Sequence, residues 1–313
     1  MKTVRGMKHS LAITLILVAV FFLSQIVGLS ILSQSIEQKQ VSETGEINVT
    51  YTNLPLGMER PNFDKTQPIQ IVVFIVVAIL VGTTLVLILR KFRAFKTWKF
   101  WFFMSVSICL MVAFYSLIKK LVPFEYSGIA AVSLGAIVAF LKVYKQNVIV
   151  QNLSEVFVYG GLAVIFVPIL NIYAVTLLLL TISVYDMIAV WQSKHMVKLA
   201  KFQTESKVFA GLMIPYAMPK KEIEEQKIVH TGKKVETEEV KSAILGGGDI
   251  GFPLLFAGVL MEHFGFLKVL IVPVVVSIGL FLLLYFAKKD RFYPAMPFIT
   301  VACFVGYGIL WLI

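Results

Sequence analysis

Three acidic residues of this 313-residue chain lie inside apolar segments: Glu155, Asp186 and Asp249. An ionisable group in such surroundings costs a few kcal/mol on insertion scales unless it meets a polar cavity or a partner, so it marks a functional site by default. Glu155 is the weakest of the three, because Asn147, Gln151, Asn152 and Ser154 make the opening of its segment polar, and it is expected near a membrane interface. Asp186 follows Tyr185 in the run Thr181 to Val190, and Asp249 closes Gly246-Gly247-Gly248-Asp249. Two neighbouring carboxyl groups cannot both ionise cheaply. One can then activate a water as general base while the other, protonated, polarises a peptide carbonyl, and the two titrate as a unit. The three glycines disfavour helix by roughly 1 kcal/mol each relative to alanine and permit close backbone approach. Gly247 and Gly251 also give a small-residue face for tight helix contact.

The elements that must position these acids follow from composition. With 58% hydrophobic and 15% charged residues, the chain is too apolar for soluble domains, and its natural solvent is a lipid bilayer. A net charge of +11 does not indicate nucleic acid, since the basic residues gather in short segments between apolar runs, where they act as topology signals. A bilayer core of about 30 Å takes roughly 20 helical residues to cross. That length divides the sequence into about nine spans, near 11–32, 69–89, 100–118, 123–141, 149–170, 172–193, 243–262, 266–287 and 294–313. The fold class is therefore an all-α polytopic membrane bundle. With the N-terminus inside, only Lys39, Arg60, Lys65, Lys119, Lys120 and Lys268 of the 29 basic residues lie outside, so the positive-inside bias predicts N-inside and C-outside. Asp186 and Asp249 then sit at similar depth, toward the cytoplasmic ends of spans six and seven.

Three parts result: residues 1–193 with six spans and an external loop near 33–67, a cytoplasmic loop 194–242, and residues 243–313 with three spans. The first apolar stretch follows Lys2, Arg5 and Lys8, exceeds the core of a signal peptide and is read as an uncleaved span. The external loop holds an Asn48-Val49-Thr50 acceptor pattern, too short to carry weight alone. In the cytoplasmic loop, Lys220 to Lys241 reads as mobile, whereas Val208 to Met218, broken by Pro215, is too short to span and is expected on the membrane surface or against the bundle. Cys109 and Cys303 are read as packing residues. No His-Glu-x-x-His pattern points to zinc, the four histidines are dispersed, and no serine stands in a nucleophile motif. Neither metal nor cofactor is called for.

Taken together, Tyr185-Asp186, Gly246-Gly247-Gly248-Asp249 and Pro294-Ala295-Met296 resemble the three motifs of the presenilin and signal peptide peptidase family of intramembrane aspartyl proteases. Met296 replaces that family's leucine, a change of similar volume. The similarity runs from about Asn147 to Ile313, and the N-inside orientation points to a presenilin-like homologue of archaeal type. The resemblance implies that Asp186 and Asp249 are catalytic, with Tyr185, the three glycines and Pro294, Ala295 and Met296 shaping the site. It also implies transmembrane protein substrates, handled by strand addition to two segments, the one at Pro294 and an extended Lys241 to Leu245, and a multi-pass location, in the cell membrane for a prokaryote. Accessory subunits are left open. The alternative from the acids alone is a proton- or cation-coupled transporter using them as a relay, for which repeat symmetry is expected and not found. A catalytically silent scaffold is the third reading.

Overall fold

The computed structural model describes residues 10–41, 47–145, 147–191, 208–217, 240–287 and 293–313. Among these, nine helices form a bundle with two short β-hairpins. Helix α1 (Leu11–Ser35) starts at Ser10, whose hydroxyl accepts from the Ile13 N–H at 3.4 Å. It leads into the hairpin β1 (Ile36–Val41) and β2 (Ile47–Tyr51). Then come α2 (Pro68–Lys91), α3 (Phe95–Ile118), α4 (Phe124–Phe140, prolonged by a wider turn over Leu141–Lys145), α5 (Val148–Phe166) and α6 (Ile172–Trp191). Strands β3 (Gly211–Ala217) and β4 (Val240–Gly246) form the second antiparallel hairpin. The chain ends with α7 (Gly247–Phe264), α8 (Phe266–Phe286) and α9 (Met296–Leu310).

Seven helices, α1 to α6 and α8, are long and apolar enough to cross a membrane. The two others carry motifs. Helix α9 is short, and α7 is diluted by glycines, Asp249, Glu262 and His263. Helix α7 is nevertheless the centre of the bundle. It packs against α1, α5, α6, α8 and α9, and its residues from Ile250 to Glu262 are almost all buried, as expected of a helix shielded on every side. Small residues permit close approach: a Cβ on Gly161 of α5 would strike the Cys109 carbonyl of α3, and one on Gly258 of α7 would crowd Val167 and Leu32. Helix α2 lies at the opposite extreme. Only Ile71, Val72 and Ile75 of its 24 residues are buried, and an apolar groove separates it from α6.

Several sequence expectations need correcting. The segment expected as an external loop contains two paired strands, Ile36–Val41 and Ile47–Tyr51, with Asn48 on the second. The helix expected as span seven begins at Gly247, since residues 243–246 belong to β4, so the boundary drawn at 242 cuts through a strand. The apolar stretch from Val208 contains β3; Pro215 is tolerated in a two-stranded ribbon, where every strand is an edge. Most of the loop expected to be cytoplasmic, its reading as mobile included, lies outside the described residues. So do the N-terminal basic cluster and Lys288, Lys289 and Arg291.

The end of the bundle that carries the first hairpin is pinned to α7. The Tyr51 hydroxyl donates to Glu262 Oε1 at 2.5 Å, Lys65 lies 3.7 Å from the same oxygen, and Arg60 donates to the carbonyls of Thr52 and Val164. Burial, with the Glu262 charge adding to it, pushes the Tyr51 hydroxyl above its ordinary range, so it remains a donor.

Candidate active site

Asp186 is buried on α6, and its Oδ2 accepts a hydrogen bond from the Met296 N–H at 3.1 Å, with the Ala295 N–H also contributing. The local reason is the start of α9. The first N–H groups of a helix have no partner within it, and they carry the positive end of the helix dipole. Pro297 occupies the first turn, where its missing N–H costs nothing. Asp186 thus caps a helix more than a hundred residues away. Pro294 is buried two residues before that helix rather than beginning it. One turn away the same faces meet again, where the Ser183 and Thr300 hydroxyls are hydrogen-bonded at 2.7 Å, both buried.

Asp249 occupies the first turn of α7, and β4 runs into that helix with no loop between them. Gly246 is both the last residue of β4 and the helix cap. The Asp249 carboxylate reaches back to the Gly246 N–H, the return half of a capping box, and a Cβ on Gly246 would lie 3.3 Å from its Oδ2. Asp186 and Asp249 stand near enough to interact electrostatically. The glycines differ in tightness. A Cβ on Gly247 would lie 2.7 Å from the Tyr159 hydroxyl, whereas one on Gly248 would make ordinary contact with Phe252 at 3.5 Å. Tyr185 is half-buried beside Asp186 on α6.

The fold therefore brings Asp186, Asp249, the glycines and the Pro294-Ala295-Met296 segment to one place. Several supporting residues were not singled out from sequence. Gln25 of α1, 1% exposed, donates to the Ile250 carbonyl at 2.8 Å. Pro253 leaves the adjacent Asp249 carbonyl without its helical donor, so the first turns of α7 lean on α1. A lone amide inside an apolar span was the available signal. Gln151 and Asn152 at the start of α5 hold β3: Asn152 bonds both the N–H and the carbonyl of Met213, and Gln151 donates to the Phe209 and Gly211 carbonyls. Glu155, expected near an interface, is 1% exposed and ion-paired with buried Lys142 of the turn after α4. Among the described residues no group of three or more His, Cys, Asp or Glu could hold a metal.

The family model for signal-peptide peptidase and presenilin aspartyl protease matches residues 18–313. Two solved structures described as a presenilin family intramembrane aspartate protease share the fold. The one in the C222 crystal form is 18% identical, with a TM-score of 0.57 over 96% of this chain and 98% of that one. The one in the P2 form is 19% identical, with a TM-score of 0.57 over 96% and 97%. Comparison with curated proteins gives no match.

Proposed function

This chain belongs to the signal-peptide peptidase and presenilin family of aspartyl proteases, and from that premise we propose that Asp186 and Asp249 hydrolyse peptide bonds of transmembrane substrates by activating a water between them. The chain is an integral, multi-pass membrane protein and an intramembrane aspartyl protease. The observation that carries the assignment of residues is the Asp186 to Met296 hydrogen bond. It joins two of the three motifs, while Asp249 of the third interacts electrostatically with Asp186. The transporter reading gives way to the family assignment.

In this mechanism the two carboxyl groups share a proton; the ionised one takes a proton from water and the other donates to the scissile carbonyl. The N–H groups at the start of α9 hold Asp186 in place without competing for that proton. Substrate reaches the pair as an extended strand, because a helical peptide bond is hydrogen-bonded and shielded. Helix α5 takes the outer edge of β3 through Asn152, which leaves the outer edge of β4 for the substrate, and β4 leads straight to Asp249. The groove between α2 and α6, lined by Val73, Val77, Leu177 and Thr181, supplies the approach from lipid.

The test is cleavage of a transmembrane peptide by purified protein. Asp186→Asn and Asp249→Asn should each remove nearly all activity, and the double variant should be scarcely worse, since residues acting as a unit are strongly non-additive. Activity should fall on both sides of a pH optimum as the pair becomes fully protonated or fully ionised. A folded Asp249→Asn protein with wild-type turnover would defeat the mechanism. Wild-type cleavage after Pro294→Ala and after deletion within Lys241 to Ile244 would defeat the strand addition.

A further inference from the structure

Asp249 stands in the first turn of α7, and one side chain that the mechanism above does not use reaches that turn from α5 through the second hairpin. Gln151 donates through its amide nitrogen to the Phe209 carbonyl at 2.9 Å, the Gly211 carbonyl at 3.0 Å and the Glu155 carboxylate at 3.2 Å. An amide nitrogen carries two hydrogens, so three acceptors share them, and the amide cannot turn without losing a partner. Glu155 lies one turn along the same helix and is ion-paired with Lys142, both buried, which fixes the amide from behind.

The two backbone carbonyls held by Gln151 flank a third. In extended backbone successive carbonyls point to opposite sides, so with those of Phe209 and Gly211 turned toward α5, that of Ala210 is turned away from it. The Ala210 carbonyl accepts the Gly247 N–H at 3.2 Å. That N–H is one of the orphan donors at the start of α7, and the preceding one, on Gly246, is taken by the Asp249 carboxylate itself. The turn that carries Asp249 is therefore tied by two bonds, one of which leads back through Ala210 to Gln151. Gly211 makes the approach possible, since its φ is 139° and a Cβ there would strike the Leu245 carbonyl. Asn152 holds the same strand two residues further on, at Met213. Removing the Gln151 amide thus frees the end of the hairpin next to Asp249 and leaves its body attached.

We propose that Gln151 is a positioning residue for the reaction: it holds the carbonyls on either side of Ala210, which aims the Ala210 carbonyl at Gly247 and sets the turn of α7 that presents Asp249. The buried Lys142–Glu155 pair anchors its amide. This inference rests on the aspartate mechanism proposed above.

The experiment pairs cleavage kinetics on a transmembrane peptide with amide hydrogen exchange, using the purified full chain in detergent. Gln151→Met keeps the length of the side chain and removes its donor. It should lower kcat by roughly ten- to a hundredfold with KM within about twofold, because a catalytic group is misplaced while the β4 edge stays held. Exchange at Gly247 should quicken by at least about fivefold, whereas Met213, held by Asn152, should exchange at the wild-type rate. If Gln151→Met does not fold, Gln151→Asn, which draws the amide back by one carbon, is read in its place and should move both readouts in the same direction. Wild-type exchange at Gly247 overturns the link through Ala210. Faster exchange there with wild-type kcat, or with the whole loss appearing in KM, overturns the positioning role. Wild-type turnover in Asp249→Asn would instead overturn the aspartate mechanism, and the role of Gln151 with it.

Discussion

Asp186 carries a second task that can be separated from chemistry by choosing its replacement. Its Oδ2 is the partner of a buried N–H at the start of α9, and asparagine keeps an oxygen in that place whereas alanine does not. Asp186→Ala leaves the Met296 N–H unsatisfied, at a cost of about 1–3 kcal/mol, to which the helix-dipole interaction adds about 0.3–1 kcal/mol. Asp186→Asn loses the charge but retains the acceptor, and it also relieves the burial of an ion. Both variants are expected to be inactive. They should differ in amide hydrogen exchange at Met296 and the residues after it: 1–3 kcal/mol corresponds to roughly 5- to 150-fold less protection in Asp186→Ala than in Asp186→Asn. The difference should be confined to the first turn of α9, because the Ser183–Thr300 hydrogen bond holds the next turn against α6 in both proteins. The assay is exchange with mass-spectrometric readout in detergent or nanodiscs, compared at equal pH. Equal protection at Met296 in the two variants would refute the capping role and, with it, the geometry that links the first and third motifs.

Three further outcomes follow from the same contacts. Gly247→Ala should cost cleavage strongly while Gly248→Ala stays within a fewfold of wild type, since only the former meets neighbours closer than ordinary contact; kcat for the two variants decides. Removing one partner of the buried pair, by Lys142→Met or Glu155→Leu, should destabilise the fold by about 3–5 kcal/mol, whereas the double replacement should recover most of it, as unfolding of the three proteins will report. A reporter fused after Ile313 should read outside the cytoplasm, as the distribution of basic residues requires; a cytoplasmic signal would contradict the N-inside, nine-span topology.

What the sequence determined by itself was the solvent, the motifs and the residues worth watching. Apolar runs of the right length place a chain in lipid because every backbone group must be satisfied within the segment, and an acid inside such a run is conspicuous because it is costly. For the same reason the three motifs could be read in order along the chain. The extended character of Lys241 to Leu245 was also legible, through the glycines that follow. The partners were not. In water an amphipathic stripe announces which face of a helix is buried, but here the lipid face and the core face are equally apolar, so the pattern of α1 or α6 carries no direction. Only the tertiary structure could decide that Gln25 of α1 meets Ile250, that Glu155 is held by Lys142 rather than by an interface, and that Gly211 to Ala217 pairs with the strand before Asp249. The meeting of Asp186 with Met296 belongs to the same class. It depends on an orphan N–H at the end of one helix finding an acceptor on another, and neither segment encodes that distance locally.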